Sequence, residues 1–177
     1  DELEESIDEL GWDVPFQAIT GWHKHPDYNH LRADNVARYA ESEGVDLGDP
    51  ETALVFSAHG TPTHYLNEGS RYDVYVDEFT EVMASMLGVE EYHVGFQNHE
   101  NRDIPWTEPE VEDLVTGLDA ERVVVEPVSF LHEQSETLSE LDVELREEAE
   151  EVGLEFHRVP IPHDDERVPT VLGDLVE

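Results

Sequence analysis

Four short apolar stretches, kept apart by helix-patterned segments, constrain this chain most. Residues 53–58, 92–96, 122–128 and 154–159 are rich in Val, Leu, Phe and Tyr, and runs of this length and composition read as strands. Between the first two, segment 73–87 carries Val76, Phe79, Val82, Met83, Met86 and Leu87 on one side and stops at Gly88, as a helix does. Segment 108–118 has Thr107 as its expected N-cap and Pro109 in its first turn, followed by acids that suit a helix start. Segment 134–152 is expected to be a helix ended by Gly153, and a last helix is expected over 166–176. Strands alternating with helices imply βαβ units. The predicted fold is α/β: a doubly wound, Rossmann-like parallel sheet of about four strands flanked by helices. Upstream, 14–20 reads as a short strand, and Pro26 opens a helix that runs to about Glu43 and ends at Gly44.

Charge is the second constraint. The chain has 45 Asp and Glu against nine Lys and Arg, a formal net charge of −36 over 177 residues. The acids are scattered through strand and helix patterns rather than gathered in a tail, which separates the chain from disordered acidic proteins. This points to a folded protein adapted to a high-salt cytosol. At about 1 M salt the Debye length is only about 3 Å, so surface self-repulsion is largely screened. The fold is expected to loosen when salt is withdrawn. Circular dichroism that stays the same between molar and millimolar salt would contradict this. The same charge excludes nucleic acid as a partner, because binding it needs a basic footprint. No apolar run approaches the roughly 20 residues of a membrane span, and no basic-then-apolar leader is expected. Without Cys the chain has no disulfide, thiolate metal site or cysteine-held iron–sulfur cluster. A cytoplasmic setting fits.

Two runs could carry chemistry. Ser57-Ala58-His59-Gly60-Thr61-Pro62 follows the first predicted strand, and Ser135 to Glu144 follows the third. In an open parallel sheet, loops at the carboxyl ends of strands line a common crevice. His59 could there act as proton acceptor or ligand, or be a loop histidine that serves the backbone; the local sequence weighs both equally. Glu136, Glu140 and Glu144, four apart, fall along one face of an α-helix about 6 Å from one another. They could pass a hydrated cation inward, although spacing alone favours plain solvated surface in so acidic a chain. Trp106 could stack on a flat ligand or anchor the core. His23, His25 and His30 form a cluster without metal-site spacing. Phosphate-binding loops, dinucleotide fingerprints, a serine-hydrolase elbow and the H-E-x-x-H metal motif are absent. Hydride transfer, nucleotide hydrolysis and serine hydrolysis therefore lose ground.

In order and spacing, several blocks resemble ferrochelatase, the enzyme that inserts ferrous iron into a porphyrin. Phe56 to Pro62 is similar to the family's F-S-A-H-G-x-P. Gly95-Phe96-Gln97 through Trp106-Thr107-Glu108-Pro109 resembles Y/F-Q-S-R…W-x-x-P. Val125-Glu126-Pro127-Val128-Ser129-Phe130, with Glu136 to Glu144, resembles V-x-P-I-x-F…H-x-E-T-L-x-E-x-D-x-E. Arg158-Val159-Pro160 matches a later R-x-P, and Gly21-Trp22 through Pro26 resembles S-W-x-x-x-P. Three places depart from the pattern. Gln134 replaces a histidine, Asn98-His99 stands for Ser-Arg, and Gly69-Ser70-Arg71-Tyr72 stands for G-D-P-Y.

The resemblance implies a chelatase-like fold and covers about the latter half of the family enzyme, which has two similar domains. Residues 1–21 would be the tail of a first domain, 22–48 a connecting helix and 49–177 the second domain. The missing half would come from the same chain, another chain or a second copy. His59 and Glu136 would be catalytic and, with Glu140 and Glu144, metal-directed. Ser57, Thr61, Pro62, Gln97, Trp106 and Gln134 would contact the substrate. Ferrous iron is then a substrate, for which zinc or cobalt could substitute, with no tightly bound cofactor. The alternatives are a cobalt or nickel chelatase, a non-catalytic tetrapyrrole- or metal-binding half, or an acidic α/β domain with a decayed site.

Overall fold

In the computed structural model, β1 (Thr52–His59) lies inside a four-stranded sheet and pairs on both sides. The structure describes residues 2–13, 18–99 and 103–176. β1 pairs with β2 (His93–Gln97) on one side and with β3 (Arg122–Pro127) on the other, and β3 pairs with β4 (Glu155–Arg158). The order is β2-β1-β3-β4 and every pair is parallel. The predicted doubly wound α/β architecture is therefore the one present.

Alternation along β1 decides what each face meets, because successive side chains point to opposite sides of a sheet. Leu54 and Phe56 pack with α2 (Pro26–Glu43) and α4 (Tyr72–Leu87) through Val36, Phe79 and Met83. Val55 packs on the other side, joined by Val123 and Val125, against α5 (Val111–Thr116) and the helix that follows β3. Helix α2 is thus a full layer of the core, with Leu31 and Val36 completely buried. Gly95 on β2 lies under α5; a Cβ there would stand 2.9 Å from the Val111 Cα. The helix can rest on the strand because that side chain is missing.

Helices α1 (Glu2–Glu9), α3 (Thr63–Asn67), α6 (Arg146–Glu151) and α7 (Val168–Asp174) complete the set, with a 3-10 turn at Trp22–Lys24. None of the described helices is long and apolar enough to cross a membrane.

Three expectations need correction. The helix expected over 108–118 begins only at Val111, after a cis peptide bond before Pro109, and Glu110 is its N-cap residue. Thr107 is buried and takes the Thr61 N–H on its Oγ1 instead (3.1 Å). The segment after β3 is not an α-helix throughout: Glu136–Leu145 winds as a π-helix and only Arg146–Glu151 is α-helical. The strand expected over 14–20 lies partly outside the described residues, and 18–20 carry no regular structure.

The order β2-β1-β3-β4 reverses direction between β1 and β3, since the connection after β1 leads to one edge and that after β3 to the other. Ligands in open α/β sheets bind at such a switch point, beyond the carboxyl ends of the strands. His59 ends β1, and the loop that leads to Glu136 leaves β3 there.

Candidate active site

His59 is gripped through its backbone. Its N–H donates to the Ser129 Oγ (3.0 Å), and its carbonyl accepts the Tyr72 hydroxyl (2.7 Å). Tyr72 and Ser129 are themselves 2.7 Å apart. Counting protons orients this triangle: Tyr72 has given its hydrogen to His59, so the Ser129 hydroxyl donates to the Tyr72 oxygen. Burial pushes the Tyr72 phenol above its usual range, which keeps that donor in place at neutral pH.

The next residue, Gly60, donates its N–H to the Gln97 carbonyl at 2.7 Å. A Cβ on Gly60 would sit 1.9 Å from the Asn98 Oδ1 and 2.8 Å from that carbonyl. The chain can leave the sheet so close to β2 because residue 60 has no side chain.

The imidazole stands among other rings. The Phe130 and His99 rings lie edge-on at centroid distances of 6.3 and 5.2 Å, and Trp106 lies edge-on to His99 at 5.2 Å. The His59 Nδ1 is buried and has no hydrogen-bond partner among the described residues. A buried ring nitrogen left unsatisfied inside a cavity wall suits a group meant to receive a proton or an ion.

Beside the imidazole runs the π-helix, which is tied down from two sides. Arg158 forks onto Asp142, with Nε to Oδ1 at 2.8 Å and Nη2 to Oδ2, and its Nη1 reaches the Glu133 Oε1 at 2.6 Å. Glu133 also accepts the Ile161 N–H (2.9 Å) and the Thr137 hydroxyl (2.7 Å). From the sheet side, buried Gln97 donates to the Glu136 carbonyl and to the Glu140 Oε2, both at 3.1 Å. Its own Oε1 accepts the Ser57 hydroxyl at 3.0 Å. Single stretches of π-helix recur at functional sites, and here the widened winding coincides with these ties.

Glu136 itself is half-buried. Its own backbone N–H and the Ser135 hydroxyl hold its carboxyl below the usual range, against the effect of burial, with the His59 and His99 rings nearby adding to this. It is therefore ionised near neutral pH, which suits the approach of a cation. Glu140 is half-buried and Glu144 exposed, its Oε1 taken by the Ser139 hydroxyl (3.2 Å). Of the three carboxylates, Glu136 alone lines the cavity around His59.

His59, Thr61, Gln134 and Glu136 line one cavity of about 400 Å³, together with Gly60, Tyr72, Ser129 and Phe130. Ser57 and Gln97 lie beneath it, fully buried, as supports. Pro62 and Trp106 pair with each other in a short antiparallel bridge outside the cavity lining. Among the described residues, no three His, Asp or Glu side chains gather as one cation shell. The site offers an imidazole and a carboxylate, with more carboxylates behind. The sequence reading missed Tyr72 and Ser129 as the grip on His59. It also missed Glu133, whose role as Arg158 partner has no local signature.

The clamp makes stability depend on pH. Burial pushes the Glu133 carboxyl up, but Thr137, Arg158 and the Ile161 N–H outweigh this and hold it below its usual range. A depressed carboxylate stabilises the fold above its unfolded value of about 4.3, and that stability is lost as pH falls through the folded value. Tm measured at constant high salt is expected to fall below about pH 4.3, and Glu133→Gln to flatten that limb. An unchanged acid limb in the variant would contradict the assignment.

A family model for ferrochelatase matches residues 1–177. The chain is 37% identical over 177 residues to the ferrochelatase of Synechococcus sp. (strain RCC307), covering 96% of this chain and 44% of that protein. It is 34% identical over 168 residues to the ferrochelatase of Nostoc punctiforme, covering 92% of this chain and 42% of that protein. The chain therefore spans less than half the length of these curated relatives. Among solved structures, that of CbiX, the terminal enzyme for biosynthesis of siroheme in denitrifying bacteria, superposes with a TM-score of 0.57. The match is 19% identical in sequence and covers 86% of this chain and 57% of that one, so it speaks for the fold alone. With the quoted sequence blocks carried on the expected parallel sheet and a family model matching from end to end, the chain belongs to the ferrochelatase family.

Proposed function

We propose that this chain forms the metal-handling wall of a tetrapyrrole chelatase and that the ion inserted is ferrous iron. The observation that carries this is one cavity lined by His59, with an unpartnered Nδ1, and by an ionised Glu136. Insertion of a divalent ion releases the two pyrrole protons of the macrocycle. Each M²⁺ that enters is therefore balanced by two H⁺ that leave. His59 accepts protons from the pyrrole nitrogens and passes them to solvent. Glu136 meets the arriving hydrated ion with its negative charge, and Glu140 and Glu144 form the approach from outside. Imidazole with carboxylate suits ferrous iron, zinc and cobalt alike. Gln134, where relatives of this pattern carry histidine, keeps a polar neighbour that holds no proton near neutral pH.

The remaining wall of the cleft is contributed by further sequence, by a separate chain or by a second copy. The charge of −36 supports work in a high-salt cytosol, where that partner wall can approach without strong repulsion. The test is insertion by the complete protein at molar salt, followed by the absorbance of the metallated porphyrin. Fe²⁺ and Zn²⁺ are expected to enter faster than Co²⁺ or Ni²⁺. Faster cobalt or nickel insertion would make it a different chelatase. Porphyrin binding without any insertion would make it a non-catalytic half.

A further inference from the structure

Arg32 is one of the largest fully buried side chains in the protein, with 1% of its surface exposed. It projects from α2, and every donor it has is directed at a partner. Its Nε (2.9 Å) and Nη2 both donate to the Glu126 Oε1. Nη1 donates to the Tyr28 hydroxyl (2.9 Å) and the Phe130 carbonyl (3.2 Å), and Nη2 also to the Pro127 carbonyl (2.5 Å). Glu126 is completely buried, and its second oxygen has no hydrogen-bond partner among the described residues.

A buried ion pair is a poor way to stabilise a core, since apolar residues of similar volume do as well or better. In a chain with nine basic residues against 45 acidic ones, one guanidinium held wholly inside calls for another role. Its partners supply one. Glu126, Pro127 and Phe130 lie within five consecutive residues where β3 ends and the chain turns over the cavity. The same stretch supplies Ser129, which accepts the His59 N–H, and the Phe130 ring, which stands edge-on to the imidazole. Arg32 does not line that cavity.

We propose that Arg32 is a positioning residue: its grip on Glu126, Pro127 and Phe130 sets loop 127–130, which in turn holds His59 in its working orientation. The site is thereby tied to α2, so a shift of that helix moves the imidazole. The kinetic part of this proposal rests on the chelatase reading above; the structural part does not.

Two variants of the complete protein test it. Arg32→Leu/Glu126→Leu removes both charges together and keeps the core apolar, so its Tm is expected to stay near the parent's. Arg32→Lys keeps the charge but loses the planar fork that reaches carboxylate and carbonyls at once. In the double variant the His59 amide is expected to exchange about tenfold faster, as Ser129 is released. The kcat for zinc insertion is expected to fall at least about tenfold while the porphyrin KM stays within about threefold, because misplacement harms chemistry more than binding. Arg32→Lys should move the same quantities in the same direction by less. Parent-like amide exchange and kcat in a folded double variant would overturn the proposal. If the double variant does not fold, parent-like values in Arg32→Lys overturn it instead. If the parent protein itself inserts no metal, the chelatase reading falls, and exchange at His59 alone decides the positioning role.

Discussion

Glu136→Gln is expected to lower the rate of metal insertion by about 10²–10³-fold, the range seen when one preorganised electrostatic group is lost. Glutamine keeps the size of the side chain but removes the charge that its own N–H and the Ser135 hydroxyl hold in place. The porphyrin KM should change little, because Glu136 faces the ion rather than the body of a macrocycle. His59→Ala is expected to act on kcat to a similar extent, since it deletes the imidazole facing the same cavity. Zinc insertion at saturating porphyrin and molar salt measures both. Near-normal rates in both variants would remove the assigned site.

Arg158→Ala is the substitution expected to cost most in stability. It removes the guanidinium from Asp142 and Glu133 together, and with it the tie between β4 and the π-helix. Breaking a buried pair by removing one member costs about 3–5 kcal/mol. The side chains of Asp142 and Glu133 keep 26% and 19% exposure, which places the loss near the lower end, about 3 kcal/mol. For a domain of this length that is a fall in Tm of about 6–12 °C. Arg158→Lys should recover only part of it, because a single ammonium cannot serve both carboxylates in fork geometry. Denaturant unfolding at constant salt checks this, and a loss below about 1 kcal/mol would contradict the clamp.

The sheet was legible because each strand states its place in its own residues. Leu54-Val55-Phe56 and Val123-Val124-Val125 are apolar on both faces, as strands covered by helices on both sides must be. The order of the blocks around His59, Gln97 and Glu136 suggested a site, and the structure brings those three residues to one end of the sheet.

What the sequence hid is set at a distance. Spacing of four in Glu136, Glu140 and Glu144 reads as α-helix, whereas the winding there is π and is held by Gln97 and Arg158 from other elements. Thr107 has the chemistry of an N-cap, but a donor 46 residues away, the Thr61 N–H, takes its hydroxyl. Gln97, read as a substrate contact, points into the protein and braces two glutamates. Tyr72 stood in the sequence only as the last residue of the block set against G-D-P-Y, with nothing local to give it a partner, and only the fold brings its hydroxyl to the His59 carbonyl.

The most direct test of the central claim, that His59 and Glu136 serve one insertion step across one cavity, is a double-mutant cycle on zinc insertion by the complete protein. Groups that work as a unit lose nearly everything on the first substitution. The His59→Ala/Glu136→Gln protein is therefore predicted to insert zinc about as slowly as the slower single variant. Losses that multiply in full, as for two independent sites, would contradict the account.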